Sequence, residues 1–183
     1  MDPFTVFPVL ETERCLLRET TPFDAKDVFA VFRDPKVTQY YNITTLTDLE
    51  QARQLVESRK RRYESGHSIR WAIARIEDNK VIGSCGYTNW VREWRKAELG
   101  YELGSAWWNQ GIMTECLERV IRYGFGKMKL NRIEAMVMPG NDASVRVLQK
   151  LGFQEEGLLR EFGIWNGKPQ DLRLFSLLAR ETR

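Results

Sequence analysis

The sequence is poor in the residues that build metal centres and disulfide frameworks. Its 183 residues include three cysteines, Cys15, Cys85 and Cys116, and a single histidine, His67. No two cysteines have the Cys-x-x-Cys spacing that is typical of zinc ligands, so we expect no metal site. An odd number of scattered cysteines also favours a reducing compartment over an oxidising one.

The chain also lacks any apolar run long enough to be a signal peptide or a membrane span, and it shows no obvious repeat or interdomain linker. We therefore expect a cytoplasmic protein that does not bind membranes. The chain length is that of one domain, residues 1–183. Residues 1–12 contain two prolines and no clear pattern, so we interpret them as an N-terminal arm.

Charge is plentiful but balanced in sign. The formal net charge of +3 is too small to indicate nucleic-acid binding by itself. One cluster stands out, Arg-Lys-Arg-Arg at residues 59–62, within a predicted helix. It could be a patch for nucleic acid or an acidic partner, or simply a solvated helix face. We favour the solvated face, because the cluster is short and no aromatic side chains alternate with its charges.

The most informative stretch is residues 97–115. Residues 98–103 alternate as a strand does, and an apolar stripe at helical spacing runs through residues 112–125. Gly111 stands just before the helix. The first N–H groups of a helix have no partner inside it, and a glycine lets an anion come close. The stretch therefore predicts a strand, a glycine turn and a helix N-terminus that could hold phosphate, with an ordinary turn as the alternative.

Apolar periodicity along the whole chain predicts the order β, helices, β-β-β, α, β, α, β-β. This order is typical of an α+β protein. We expect a central mixed, mostly antiparallel sheet of about seven strands, flanked by about four helices.

Two segments of this chain resemble the GNAT superfamily of N-acetyltransferases. Trp108-Asn-Gln-Gly111-Ile-Met113 is similar to the loop that holds the pyrophosphate of acetyl-coenzyme A in that family. Residues 141–153, which begin Asn-Asp-Ala-Ser and end Lys-Leu-Gly-Phe, are similar to its later helix. The loop departs from the family pattern, because Trp108 replaces Gln or Arg and Met113 replaces a small residue. These departures resemble the Rim-type branch, which acetylates the N-termini of ribosomal proteins.

The resemblance implies a binding site for acetyl-coenzyme A as the co-substrate. Backbone groups of Tyr101, Glu102 and Leu103 would hold the pantetheine arm, and Asn141 would bond the arm near the thioester. From the residues alone, Asn141 is equally well explained as a plain helix cap. The N–H groups of the loop and first helical turn would hold the pyrophosphate: Asn109, Gln110, Gly111, Ile112, Met113 and Thr114.

Acetylation of an amine also needs a base that titrates near neutrality. The only histidine lies in no motif, which leaves a carboxylate. Glu98 is the first candidate, acting directly or through water, and Glu102 and Glu161 are held in reserve. The alternative for Glu98 is a structural ion pair with Arg70 or Arg75.

Much of the superfamily protonates the leaving thiolate with a tyrosine, but Leu148 occupies that position here. The resemblance to the Rim branch implies Ser144 instead, whose alternative role is to stabilise the first turn of the helix. Trp90 and Trp94 flank a charged loop and are candidates for an acceptor groove, although single tryptophans more often serve packing.

These expectations together predict an enzyme that moves the acetyl group of acetyl-coenzyme A to a primary amine, such as the N-terminus of a ribosomal-type protein. The alternatives are a small amine, such as an aminoglycoside, polyamine or amino acid, and a coenzyme A-binding module without turnover. We expect a monomer or homodimer and no nucleic-acid partner.

Overall fold

The computed structural model describes residues 6–165 and 167–182, which form an eight-stranded sheet in the spatial order β1-β2-β3-β4-β5-β6-β8-β7. Every neighbouring pair is antiparallel except β5 and β6, which are parallel. The strands are β1 (Leu10–Glu11), β2 (Cys15–Arg18), β3 (Ile69–Arg75), β4 (Val81–Val91), β5 (Lys96–Leu103), β6 (Arg132–Val137), β7 (Gln154–Trp165) and β8 (Lys168–Leu178).

Five α-helices accompany the sheet in the described part of the chain, and none of them is long and apolar enough to cross a bilayer. The α+β class is confirmed, with one strand and one short helix more than the sequence predicted. The helices are α1 (Ala25–Phe32), α2 (Pro35–Thr38), α3 (Leu49–Glu64), α4 (Ile112–Gly126) and α5 (Asp142–Lys150).

The additional strand lies within the predicted N-terminal arm, residues 1–12. Residues 1–5 of that arm are outside the described residues, but Leu10–Glu11 forms β1 and pairs with β2. Just before it, the Pro8 carbonyl accepts a hydrogen bond from Trp71 Nε1 at 2.7 Å, and the Phe7 ring packs against Tyr63. The sequence pattern hides this strand because it is only two residues long.

The helices lie on opposite faces of the sheet. Tyr87 of β4 donates its hydroxyl proton to the Val120 carbonyl of α4 at 3.0 Å. A Cβ on Gly124 would lie 2.3 Å from the Tyr87 hydroxyl, so the glycine permits this close approach. On the other face, Arg59 of α3 reaches Glu102 of β5. Successive strand residues point to opposite faces, so α4 and α5 lie on one face of the sheet and α1 and α3 lie on the other.

The sheet splits between β5 and β6. Their parallel pairing covers three positions only, where Lys96, Ala97 and Glu98 face residues 132–134. Beyond Glu98, β5 continues to Leu103 and stays paired with β4 on its other side. Residues 99–103 therefore have a paired strand on one side and no paired strand on the other, and we call this open side the gap.

Candidate active site

The gap is lined by backbone groups of β5. The Gly104 N–H donates to the Ile82 carbonyl at 2.8 Å, which fixes the alternation of the β4–β5 ladder. Even-numbered residues such as Glu102 therefore direct their backbone groups at β4, and Tyr101 and Leu103 direct theirs into the gap. Glu102 consequently does not fit the predicted backbone contact with pantetheine, whereas Tyr101 does.

One of these backbone groups already has a partner. The Leu103 carbonyl accepts a hydrogen bond from Trp108 Nε1 at 2.7 Å. Trp108 stands where the family pattern has Gln or Arg, and it ties the end of β5 to the loop that follows. The N–H of Leu103 and both backbone groups of Tyr101 remain on the gap side.

The loop between β5 and α4 has the geometry of an anion site. Asn109 and Gly111 have positive φ angles of 60° and 76°, and Gly111 is the N-cap of α4 without a side-chain cap bond. The first bond of the helix runs from the Glu115 N–H to the Gly111 carbonyl at 3.1 Å. The N–H groups of residues 112–114 therefore have no acceptor inside the helix, and such groups bind phosphate well.

A second helix N-terminus meets the gap from α5. Asn141 is the N-cap of α5, and its Oδ1 accepts the Ser144 N–H at 3.2 Å. Ser144 Oγ is 2.7 Å from the Tyr101 hydroxyl. Burial raises the pKa of Tyr101 to about 12, so this hydroxyl stays protonated at neutral pH. The Tyr101 side chain was missed by the sequence reasoning, which assigned only its backbone.

Glu98 lies at the point where the sheet splits. It is half-buried in the last parallel pair, beside Glu134, and accepts a hydrogen bond from Asn89 Nδ2 at 2.9 Å. Glu134 is neutralised by Lys96 at 2.9 Å and Arg132 at 2.7 Å. Within residues 6–165 and 167–182, Glu98 has no cationic partner of its own.

The predicted alternative for Glu98 is wrong. Arg70 pairs with Glu102, and Arg75 pairs with Asp78, so neither arginine is the partner of Glu98. Because Glu98 and Tyr101 are an odd number of residues apart, their side chains point to opposite faces of the sheet.

Glu102 belongs to a buried ionic cluster. Its carboxylate accepts hydrogen bonds from Arg59 Nη2 at 3.0 Å, from Arg70 and from the Ser84 hydroxyl. The side chains of Glu102, Arg59 and Arg70 are 3%, 10% and 9% exposed. Burial opposes ionisation, but the two guanidinium groups and Ser84 outweigh it and hold the pKa of Glu102 below its ordinary value. Glu102 therefore stays ionised and does not suit a base that titrates near neutrality.

The other reserve base is remote from the gap. Glu161 is exposed on the edge strand β7, and its N–H donates to Asp171. Two strands, β6 and β8, separate β7 from β5.

The basic cluster at residues 59–62 is not a continuous surface. Arg59 turns inward to Glu102, whereas Lys60 and Arg61 lie near Glu64 and Glu57 at 3.9 and 3.6 Å on the solvated side of α3. The favoured solvated-face interpretation therefore holds for Lys60 and Arg61 and is wrong for Arg59.

The tryptophan candidates lie where β4 turns into β5. Trp94 is 67% exposed, with Lys96 Nζ 5.8 Å from its ring centroid. The Arg92 guanidinium lies 4.3 Å from the centroid of Trp90. Both rings are thus near the start of the strand that carries Glu98.

Comparison with known proteins identifies the family. Residues 14–154 match the acetyltransferase (GNAT) domain. The chain is 38% identical over 173 residues to the uncharacterised N-acetyltransferase YoaA of Bacillus subtilis, covering 94% of this chain and 98% of YoaA. It is 30% identical over 116 residues to the [ribosomal protein uS5]-alanine N-acetyltransferase of Escherichia coli, covering 63% and 60% of the two chains.

The fold agrees with these matches. The structure of Mycobacterium smegmatis RimJ in complex with CoA-disulfide aligns with a TM-score of 0.85 at 24% identity, covering 95% of this chain and 88% of that one. The chain therefore belongs to the GNAT family and is an acetyl-coenzyme A-dependent N-acetyltransferase.

Proposed function

We propose that acetyl-coenzyme A binds along the split of the sheet. The observation that carries the proposal is the unpaired edge at residues 99–103, which runs from the uncapped N-terminus of α4 to the Ser144 hydroxyl. The pyrophosphate would lie on the N–H groups of residues 109–114. The pantetheine arm would bond the backbone of Tyr101 as an added strand does. Asn141 would then be close to the thioester.

The chemistry follows from the two faces of β5. An acceptor amine on the Glu98 face would give up its proton to that carboxylate, directly or through water, and then attack the thioester carbonyl. The C–S bond breaks as the amide forms. On the opposite face, the Ser144 hydroxyl would give its proton to the departing thiolate and take up the second proton that the acylated nitrogen loses. The hydrogen bond to Tyr101 would hold the Ser144 hydroxyl in position. Holding both substrates together supplies a large part of such a rate enhancement.

The acceptor is proposed to be the N-terminus of a protein of the ribosomal type. A protonated N-terminal amine is attracted by a carboxylate without its own cation, and no cation of the described residues pairs with Glu98. The similarity to the uS5-alanine enzyme supports the same class of acceptor. We propose that residues 1–183 work as one domain, as a monomer or homodimer in the cytoplasm, in keeping with the three free cysteines.

Thiol release from acetyl-coenzyme A tests this proposal. The acceptors would be short peptides with ribosomal-protein N-termini, the same peptides with a blocked N-terminus, and a panel of aminoglycosides, polyamines and amino acids. We expect the free peptides to have the highest kcat/KM and the blocked peptides to be inert. A preference for a small amine would overturn the acceptor. Coenzyme binding without turnover on any amine would favour the binding-module alternative.

A further inference from the structure

Arg14, just before β2, binds the loop between β5 and α4 that is proposed to hold the pyrophosphate. Its Nη1 donates to the Gln110 carbonyl at 2.9 Å, and its Nε and Nη2 lie 2.7 and 2.6 Å from Glu115 Oε2. The Arg14 backbone N–H also donates to Glu115 Oε1 at 3.0 Å. One residue therefore binds both the last carbonyl of the loop and a carboxylate of the first turn of α4.

We propose that Arg14 is a positioning residue for pyrophosphate binding, which orients the Gly111 N–H and neutralises Glu115. This inference rests on the proposed role of residues 109–114 in holding the pyrophosphate.

The orientation follows from the geometry of the peptide unit. A trans peptide is planar, so the Gln110 carbonyl and the Gly111 N–H point in opposite directions. Because Arg14 holds the carbonyl on its own side, the N–H is directed to the other side, where the anion would lie. Gly111 tolerates φ angles of either sign, so this peptide unit could rotate at little cost. A rotated unit would present a carbonyl oxygen to the pyrophosphate.

Arg14 also neutralises the carboxylate of Glu115. Burial raises its pKa, but hydrogen bonds from the Thr12 side chain and from Arg14 outweigh burial and lower it, so the carboxylate is ionised. An anion in the first turn competes with a bound pyrophosphate for the positive end of the helix dipole. Arg14 cancels that charge. Since the Arg14 side chain is 45% exposed, its ion pair contributes little to stability, and its removal should leave the fold intact.

Two acetyl donors separate this role from a structural one. Acetyl-coenzyme A carries the pyrophosphate, whereas the acetyl thioester of N-acetylcysteamine lacks it. We expect Arg14→Ala to raise KM for acetyl-coenzyme A by roughly 10- to 100-fold, the worth of a hydrogen bond to a charged group. Both kcat and the kinetics with the truncated thioester should stay unchanged. Arg14→Lys keeps the charge but loses the planar guanidinium that binds Glu115 and Gln110 together, so its KM should be intermediate.

Adding Glu115→Gln to Arg14→Ala removes the uncompensated carboxylate, so KM should recover by roughly fivefold. Arg18→Ala is the matched control, because Arg18 is the last residue of β2 and also binds a carboxylate through two nitrogens, at Asp24. It should lower the thermal midpoint and leave KM for acetyl-coenzyme A unchanged.

Each contrary outcome has one meaning. An equal loss with both donors would make Arg14 a structural residue and overturn the inference. An unchanged KM in Arg14→Ala, together with a raised KM in Gly111→Val, would overturn the inference about Arg14. The assignment of residues 109–114 to pyrophosphate binding would remain. An unchanged KM in both variants would overturn the assignment of residues 109–114 to pyrophosphate binding.

Discussion

The Glu102→Gln substitution tests whether Glu102 is a buried counter-ion or a catalytic base. The substitution keeps the size of the side chain and removes its charge, which leaves Arg59 and Arg70 without a counter-ion at 10% and 9% exposure. Removing one partner of a buried ion pair costs about 3–5 kcal/mol. For a chain of this length each kcal/mol shifts the thermal midpoint by about 2–4 °C, so a drop of roughly 6–20 °C is expected.

The pH dependence of unfolding sharpens this test. Because the folded-state pKa of Glu102 is lowered, its stabilising contribution is complete above the ordinary value of 4.5 and is lost as pH falls through the lowered pKa. The difference in thermal midpoint between the wild type and Glu102→Gln should therefore be full at neutral pH and shrink as the pH falls below 4.5. Circular dichroism melts at several pH values measure it.

The matched control is Glu57→Gln on α3. Glu57 is 54% exposed and lies 3.6 Å from Arg61, so its loss should cost less than about 1 kcal/mol. A Glu102→Gln midpoint within 2 °C of the wild type at neutral pH, as in this control, would refute the reasoning from burial. A normal midpoint combined with a lost acidic limb of the pH–rate profile would make Glu102 the base.

Three further substitutions probe the proposed site. Gly111→Val, at a φ of 76°, should abolish acetyl-coenzyme A binding by calorimetry with an unchanged circular dichroism spectrum, whereas Gly126→Ala, with open space around its Cβ, should bind normally. Unchanged affinity in Gly111→Val would contradict the phosphate loop. Ser144→Ala should lower turnover more than coenzyme affinity, and equal losses would reduce Ser144 to a binding or capping residue. Glu98→Gln should lower turnover by roughly a hundredfold or more and shift or remove the acidic limb of the pH–rate profile, with coenzyme affinity retained. A normal rate and limb would end the assignment of Glu98.

Local patterns predicted the elements of the site but not how the sheet pairs around them. The alternation at residues 98–103 and the helical stripe at residues 112–125 gave β5 and α4 with nearly correct limits. The split between β5 and β6 depends on where two strands diverge, and strand periodicity carries no information about the partner of a strand.

The basic cluster at residues 59–62 shows a second limit of prediction from the sequence. Four consecutive basic residues look like one surface in the sequence, yet successive helical residues point in different directions, so Arg59 can face inward while its neighbours face solvent. Its partner Glu102 is 43 residues away in the chain. Arg14 is likewise separated from Glu115 by 101 residues, and nothing near it in the sequence marks its contact with the loop.

The split also places an unprotected edge in the interior of a sheet. Unpaired strand groups are templates for pairing with other chains, and in most folds such edges lie at the rim. A coenzyme that bonds this edge would stabilise the folded enzyme by mass action, by about 2.7 kcal/mol at a concentration one hundred times its Kd. We therefore expect acetyl-coenzyme A to act as a stabiliser of the folded chain and to slow its aggregation on heating.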